Sequence, residues 1–197
     1  CDAIGLNFYA NSPRYLSPLK AREIGRGLPL IRVGVFVNEP ESKLREIAAI
    51  AELDYLQLHG DEAPALIASL KGLRVIRAFR CQNDGLAPII SYLTECEKLN
   101  STPIAILLDA YSPKAFGGTG KVIDWQSIRS LRDQISSEIS IILAGGLNPE
   151  NVAEAIRVSE ADGVDTASGV ENSSGSKDPD LVARFVKNAK NQFELPG

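Results

Sequence analysis

Short apolar runs bounded by Gly, Asn, Asp and Pro alternate along the whole chain with longer stretches of helical periodicity. This is the pattern of repeated strand-helix units. Strands are predicted over residues 3–9, 31–37, 55–58, 74–79, 104–108, 140–143 and 163–165. Each is rich in β-branched residues or Leu and lacks strict alternation, which implies burial on both faces, as in a parallel sheet. Helices are predicted over residues 17–26, 42–53, 64–70, 87–99, 124–131, 149–159 and 179–190. Asn148-Pro149 and Asp178-Pro179 each supply a capping side chain followed by Pro in the first turn, and Asp61 stands ahead of Pro64 where another helix begins.

Seven such units in 197 residues average about 28 residues, with no Pro/Gly-rich linker long enough to divide them. A single domain over residues 1–197 is therefore expected. The alternation leaves two α/β architectures, a parallel barrel or a doubly wound sheet. Residues capable of chemistry stand at the C-terminal ends of nearly every predicted strand, and the last two strands run into Gly/Ser-rich loops suited to a phosphate. Both features favour the (β/α)8 TIM barrel. Seven of its eight β-α units are present here. The chain opens directly on a strand and contains no Met, so the expectation is that the first unit lies upstream of Cys1.

Composition narrows the class. With 44% hydrophobic and 23% charged residues the chain is globular. No apolar run reaches the roughly 18–20 residues of a membrane span and no signal segment opens the chain, so a cytoplasmic protein with no membrane partner is expected. Lys plus Arg number 21 against 25 for Asp plus Glu, a net charge of −4, so the basic field of a nucleic-acid binder is missing. Cys1, Cys81 and Cys96 form no CxxC pair, and their odd number argues against a disulfide framework and for a reducing compartment.

Candidate chemistry lies at the strand ends. Residues 141–149 read as an apolar strand, the pair Gly145-Gly146 and a capped helix, so backbone N–H groups and a helix N-terminus can meet an anion. The following strand runs into Asp165-Thr166-Ala167-Ser168-Gly169-Val170-Glu171, and two such loops after the final strands can cradle one phosphate. A pair of tight turns with Gly for close packing is the other reading. Phe116-Gly117-Gly118-Thr119-Gly120-Lys121 is not a P-loop, because Ala115 and Val122 stand where Gly and Ser/Thr are needed. Nor is it GxGxxG, because Ile123 takes the last Gly position. A mobile loop closing over a ligand is expected there.

Asp109, just after an apolar strand, reads either as a general acid whose pKa desolvation would raise or as a cap for the next loop. Arg14, in a polar loop, reads as a solvated arginine or as a bidentate clamp for a carboxylate. His59, the sole histidine, sits at a strand end and is either structural or part of a pocket. One His, scattered Cys and no ligand-spaced carboxylates leave no metal site. Cys81 has no partner base beside it and reads as a buried thiol.

Taken together, Ser12-Pro13-Arg14-Tyr15, Gly34-Val35-Phe36-Val37-Asn38, Gln57-Leu58-His59-Gly60-Asp61-Glu62, Leu107-Leu108-Asp109-Ala110, Gly117-Gly118-Thr119-Gly120, Ala144-Gly145-Gly146-Leu147 and Ser168-Gly169-Val170-Glu171 resemble phosphoribosylanthranilate isomerase of tryptophan biosynthesis. The resemblance runs from the first residues to the C-terminal helix. It implies a (β/α)8 barrel that catalyses an Amadori rearrangement of N-(5-phosphoribosyl)anthranilate to 1-(2-carboxyphenylamino)-1-deoxy-D-ribulose 5-phosphate without metal or organic cofactor. By the same resemblance Asp109 matches the general acid and Arg14 the residue holding the anthranilate carboxylate. Gly145, Gly146, Asp165, Ser168 and Gly169 fall in the phosphate-binding segments, and His59 lines the pocket. The partner implied is a small phosphorylated substrate, with the protein a monomer or homodimer.

One departure stands out. The family's general base is a cysteine in a Lys-Ile-Cys-Gly motif on the first strand, and no such motif occurs in these 197 residues. Cys1 is no counterpart, because it precedes the segment that matches the second strand. A chain truly beginning at Cys1 is expected to have negligible isomerase activity. Two other readings compete with the isomerase. Another phosphate-binding barrel enzyme, such as indole-3-glycerol-phosphate synthase or a ribulose-phosphate epimerase, needs catalytic lysines or metal-binding histidines that these strand ends lack. A non-catalytic phosphate-binding barrel remnant would keep the phosphate site without the base.

Overall fold

The computed structural model describes residues 1–81, 85–109 and 125–195. Its elements alternate as the apolar pattern implies: β1 (Ala3–Asn7), α1 (Pro18–Gly25), β2 (Ile31–Phe36), α2 (Glu41–Ala51), β3 (Tyr55–Leu58), α3 (Pro64–Ser69), β4 (Val75–Arg80), α4 (Ala87–Lys98), β5 (Ala105–Asp109), α5 (Trp125–Arg132), β6 (Ser140–Ala144), α6 (Val152–Ser159), β7 (Gly163–Val164), a 3-10 turn (Ser168–Val170), β8 (Glu171–Ser173), β9 (Ser176–Lys177) and α7 (Pro179–Phe193). The strands β1 to β7 follow chain order in one seven-stranded sheet, and β8 and β9 form a separate two-stranded one. Crossovers through helices make neighbouring strands parallel, as in β1 on β2, β2 on β3, β3 on β4 and β6 on β7. The chain forms two compact units, Cys1–Ala78 with Tyr92–Ala105, and Phe79–Ser91 with Ile106–Gly197.

In the first unit, register is set by pairs such as Gly5 with Val33, Val33 with Tyr55, and Leu56 with Val75. Its core holds Leu6, Phe8, Phe36, Leu44, Leu56, Leu58 and Leu70, and the Phe8 and Phe36 rings stack with centroids 5.1 Å apart. Each of these side chains contributes about 1.5–3 kcal/mol by leaving water. The second unit buries Ile106, Leu107, Leu108, Ile128, Leu131, Ile141, Leu143, Leu147, Val152 and Phe185. Residues Ala105 to Leu108 are buried in succession, as are Val75 to Ala78, the two-sided burial implied by their lack of alternation.

Caps account for several ends. Ser17 accepts from the Lys20 N–H ahead of α1, and Asp178 accepts from Asp180 and Leu181 N–H groups at the start of α7, with Pro179 in the first turn. Most boundaries differ from the sequence reading by one to three residues, and three differences have a visible local cause. The strand expected over 3–9 ends at Asn7, whose side-chain oxygen takes the Tyr9 N–H at 2.9 Å and turns the chain. The helix expected from 149 begins at Val152. Asn148 does cap, but it caps a turn, its Oδ1 accepting from Glu150 and Asn151 N–H at 2.9 and 3.1 Å. Asp61 caps nothing at α3, whose N-cap is Ala63. The hairpin β8–β9 and the 3-10 turn were not foreseen. Asp124 and the Gly117–Gly118–Thr119–Gly120 loop lie outside the described residues, and among those described no helix is long and apolar enough to cross a membrane.

Candidate active site

In each unit the candidate residues follow the C-terminal ends of strands. In the second unit, Asp109 is the half-buried last residue of β5. Gly145 and Gly146 follow β6, and Asp165 follows β7, its N–H bonded to the Leu143 carbonyl at 2.9 Å. Ser168 and Gly169 form the 3-10 turn just beyond. In the first unit, Arg14 lies half-buried in the loop after β1, and its N–H donates to Ser12 Oγ at 3.1 Å. His59 lies just after β3, with β2 between the two strands.

The two glycine loops of the second unit meet at the Leu147 carbonyl. Gly145 and Gly146 have φ of +86° and +66°, a left-handed pair that side chains resist. Thr166 Oγ1 donates to the Leu147 carbonyl at 2.6 Å, and Asn151 Nδ2 donates to the Gly146 carbonyl at 3.1 Å. A Cβ at Gly169 would stand 1.8 Å from that same Leu147 oxygen. The Leu147 carbonyl thus joins the segment that follows Gly145 and Gly146 to the one that holds Asp165, Ser168 and Gly169. Because α6 begins only at Val152, its dipole reaches the glycine pair weakly, the effect falling off within the first turn. The pair therefore lies beyond most of the helix dipole. Gly169→Ala is expected to cost about 1–3 kcal/mol, the usual range for overpacking, read as a lower urea midpoint. An unchanged midpoint would mean that the turn gives way freely.

Asp109 has Cys81 as a neighbour across β4 and β5, where the Cys81 N–H donates to the Asp109 carbonyl at 3.1 Å. Cys81 is buried, and burial, with the Asp109 charge second, pushes its thiol up to about 12. It is a protonated thiol at neutral pH, as the sequence reading held, and no base.

The first unit holds a network that sequence reasoning missed. Arg77 and Glu62 form a buried ion pair, Nη1 to Oε2 3.1 Å, with side chains only 7% and 2% exposed. Glu62 Oε1 accepts from the Asn38 N–H at 2.8 Å and Oε2 from the Gly60 N–H at 2.9 Å. Arg77 donates to the carbonyls of Leu58, Gly60 and Ala78, and its guanidinium lies 5.1 Å from the centroid of the Tyr92 ring. The Tyr92 hydroxyl donates to the Glu62 carbonyl at 2.9 Å. This network fixes the backbone on both sides of His59, whose own N–H bonds Phe36 O at 2.8 Å. Gln57 Nε2 lies within hydrogen-bonding distance of His59 Nδ1, at 3.1 Å. The available signals were an Arg inside an apolar run and a Glu closing the 57–62 motif. Among the described residues, no three His, Cys, Asp or Glu side chains are grouped as metal ligands.

The chain is similar to proteins already known. The family described as N-(5'phosphoribosyl)anthranilate (PRA) isomerase matches residues 2–188. The N-(5'-phosphoribosyl)anthranilate isomerase of Rubrobacter xylanophilus is 40% identical over 194 residues, covering 96% of this chain and 89% of its own. The crystal structure of phosphoribosyl anthranilate isomerase from Thermotoga maritima superposes with a TM-score of 0.82 at 40% identity, covering 97% of this chain and 89% of that one. A second crystal structure of such an isomerase, in complex with reduced 1-(o-carboxyphenylamino)-1-deoxyribulose 5-phosphate, gives a TM-score of 0.80 at 38% identity, with 97% and 88% covered.

Proposed function

The chain belongs to the N-(5'-phosphoribosyl)anthranilate isomerase family, and from that membership we propose how its residues serve the reaction. The enzyme is an isomerase of tryptophan biosynthesis. It converts N-(5-phosphoribosyl)anthranilate to 1-(2-carboxyphenylamino)-1-deoxy-D-ribulose 5-phosphate. The reading rests on the family match over residues 2–188, and the strand-end position of Asp109 agrees with it.

Asp109 gives a proton to the ribose ring oxygen as the C1–O bond breaks, and the aniline nitrogen supplies the electron pair that forms the protonated Schiff base. Loss of the C2 proton then gives an enamine that tautomerises to the ketose. The base for that proton has no counterpart motif in residues 1–197, which contribute the acid, the clamp and the phosphate cradle. Arg14 holds the anthranilate carboxylate by its planar fork. Gly145, Gly146, Ser168 and Gly169 present main-chain N–H groups to the phosphate, Asp165 borders them, and His59 lines the pocket. The architecture we assign is the (β/α)8 barrel, as one phosphate-binding domain spanning residues 1–197, in a cytoplasmic monomer or homodimer.

Two measurements test this, made on the protein as its cells produce it. Liquid chromatography should separate the ring-closed substrate from the open-chain product and show conversion. Calorimetry should show binding of reduced 1-(o-carboxyphenylamino)-1-deoxyribulose 5-phosphate. Binding without conversion would point instead to a non-catalytic phosphate-binding remnant, and the absence of both would sink the isomerase reading.

A further inference from the structure

The hairpin β8–β9 returns Lys177 to a position opposite Glu171, the two being paired in its register. There Lys177 Nζ sits 2.9 Å from Glu171 Oε1, a carboxylate only 4% exposed. The same ammonium donates to the Ala167 carbonyl at 2.6 Å. Ala167 is the residue from which the 3-10 turn starts. A trans peptide points its C=O and N–H in opposite directions. Whatever fixes the Ala167 carbonyl therefore also fixes the Ser168 N–H of the same peptide plane. Asn151 acts in the same way on the other loop, since its hold on the Gly146 carbonyl aims the Leu147 N–H.

We propose that Lys177 is a positioning residue. Anchored by Glu171, it holds the 167–168 peptide so that the Ser168 N–H is already turned toward the substrate phosphate before the ligand arrives. Preorganisation of this kind spares the ligand the cost of ordering the loop. The inference rests on the phosphate reading of residues 145–146 and 168–169. It assigns a purpose to the hairpin, whose own residues are mostly exposed and polar and bury little. Lys177 touches the loop from its carbonyl side and acts through the peptide. The phosphate itself is left to main-chain N–H groups.

The test uses the reduced carboxyphenylamino-deoxyribulose phosphate and its dephosphorylated form as calorimetric probes. The double variant Lys177→Met/Glu171→Gln removes one charge of each sign, so net charge is unchanged and no lone carboxylate stays buried. It is expected to bind the phosphorylated probe about tenfold more weakly, the scale of one lost charge-assisted hydrogen bond. Its affinity for the dephosphorylated probe should be unchanged, and Lys177→Arg should keep most of the wild-type affinity. Wild-type affinity in the double variant would overturn the proposal. So would tighter binding in Glu171→Gln alone, because a lysine that contacts phosphate directly is strengthened by losing its competing carboxylate, whereas a positioning lysine is weakened by losing its anchor. Failure of the phosphate reading itself is separately visible, since the unaltered protein would then bind both probes equally.

Discussion

Asp109→Asn is expected to lower kcat by about two to four orders of magnitude, the usual worth of a positioned general acid. The carboxamide is nearly the same size and has no proton to deliver to the ribose ring oxygen. Asp109 ends β5 with its backbone carbonyl held by the Cys81 N–H, so the substitution should leave the strand undisturbed. Binding of reduced 1-(o-carboxyphenylamino)-1-deoxyribulose 5-phosphate should therefore change little, because that ligand carries no ring oxygen awaiting a proton. Steady-state kinetics and calorimetry on the intact protein separate the two effects. A variant that turns over normally would take the acid role away from Asp109. One that loses ligand and turnover together would make it a binding residue.

Arg77→Met should destabilise the protein by about 3–5 kcal/mol, because it leaves a buried carboxylate without its partner. Glu62 is 2% exposed, and its remaining contacts, the N–H groups of Asn38 and Gly60, carry no full charge. Three carbonyls, those of Leu58, Gly60 and Ala78, lose their donor at the same time. In a chain of 197 residues that corresponds to a drop in Tm of roughly 6–20 °C. The double variant Arg77→Met/Glu62→Gln should recover a good part of the loss, since the carboxamide oxygen still accepts from both N–H groups without a charge to compensate. Urea unfolding of the two single variants and the double variant measures the coupling. Simple additivity would mean that the two side chains are held independently and the pair contributes nothing as a pair.

The strands were legible because burial on both faces writes itself into consecutive apolar residues. Tyr55–Leu58 matched at both ends for this reason, and Asp109 was found because it ends such a run. The glycine pair at 145–146 was legible as a loop between strand and helix, and its left-handed backbone came only with the structure. The start of α6 was not legible, because Asn148 and Pro149 carry the same signals whether they open a helix or a turn before one. The hairpin Glu171–Lys177 escaped because its residues are polar, exposed and without alternation. Arg77 and Glu62 lie 15 residues apart on different elements, and no local spacing joins them. Their pairing is a product of the fold. The strand-end positions of the candidate residues could thus be read from local pattern, and the side chains that hold the backbone around them could not.

Gly169 faces the Leu147 oxygen, Thr166 and Asn151 grip carbonyls, and Lys177 holds a third. The groups these contacts aim belong to the polypeptide itself, and every amino acid except proline carries the same N–H. A survey that trims side chains to alanine would pass over Ser168 as if it were idle and would score the lysine two strands downstream in its place. A map of sensitive positions drawn that way would outline the scaffold around the ligand and leave the points of contact blank.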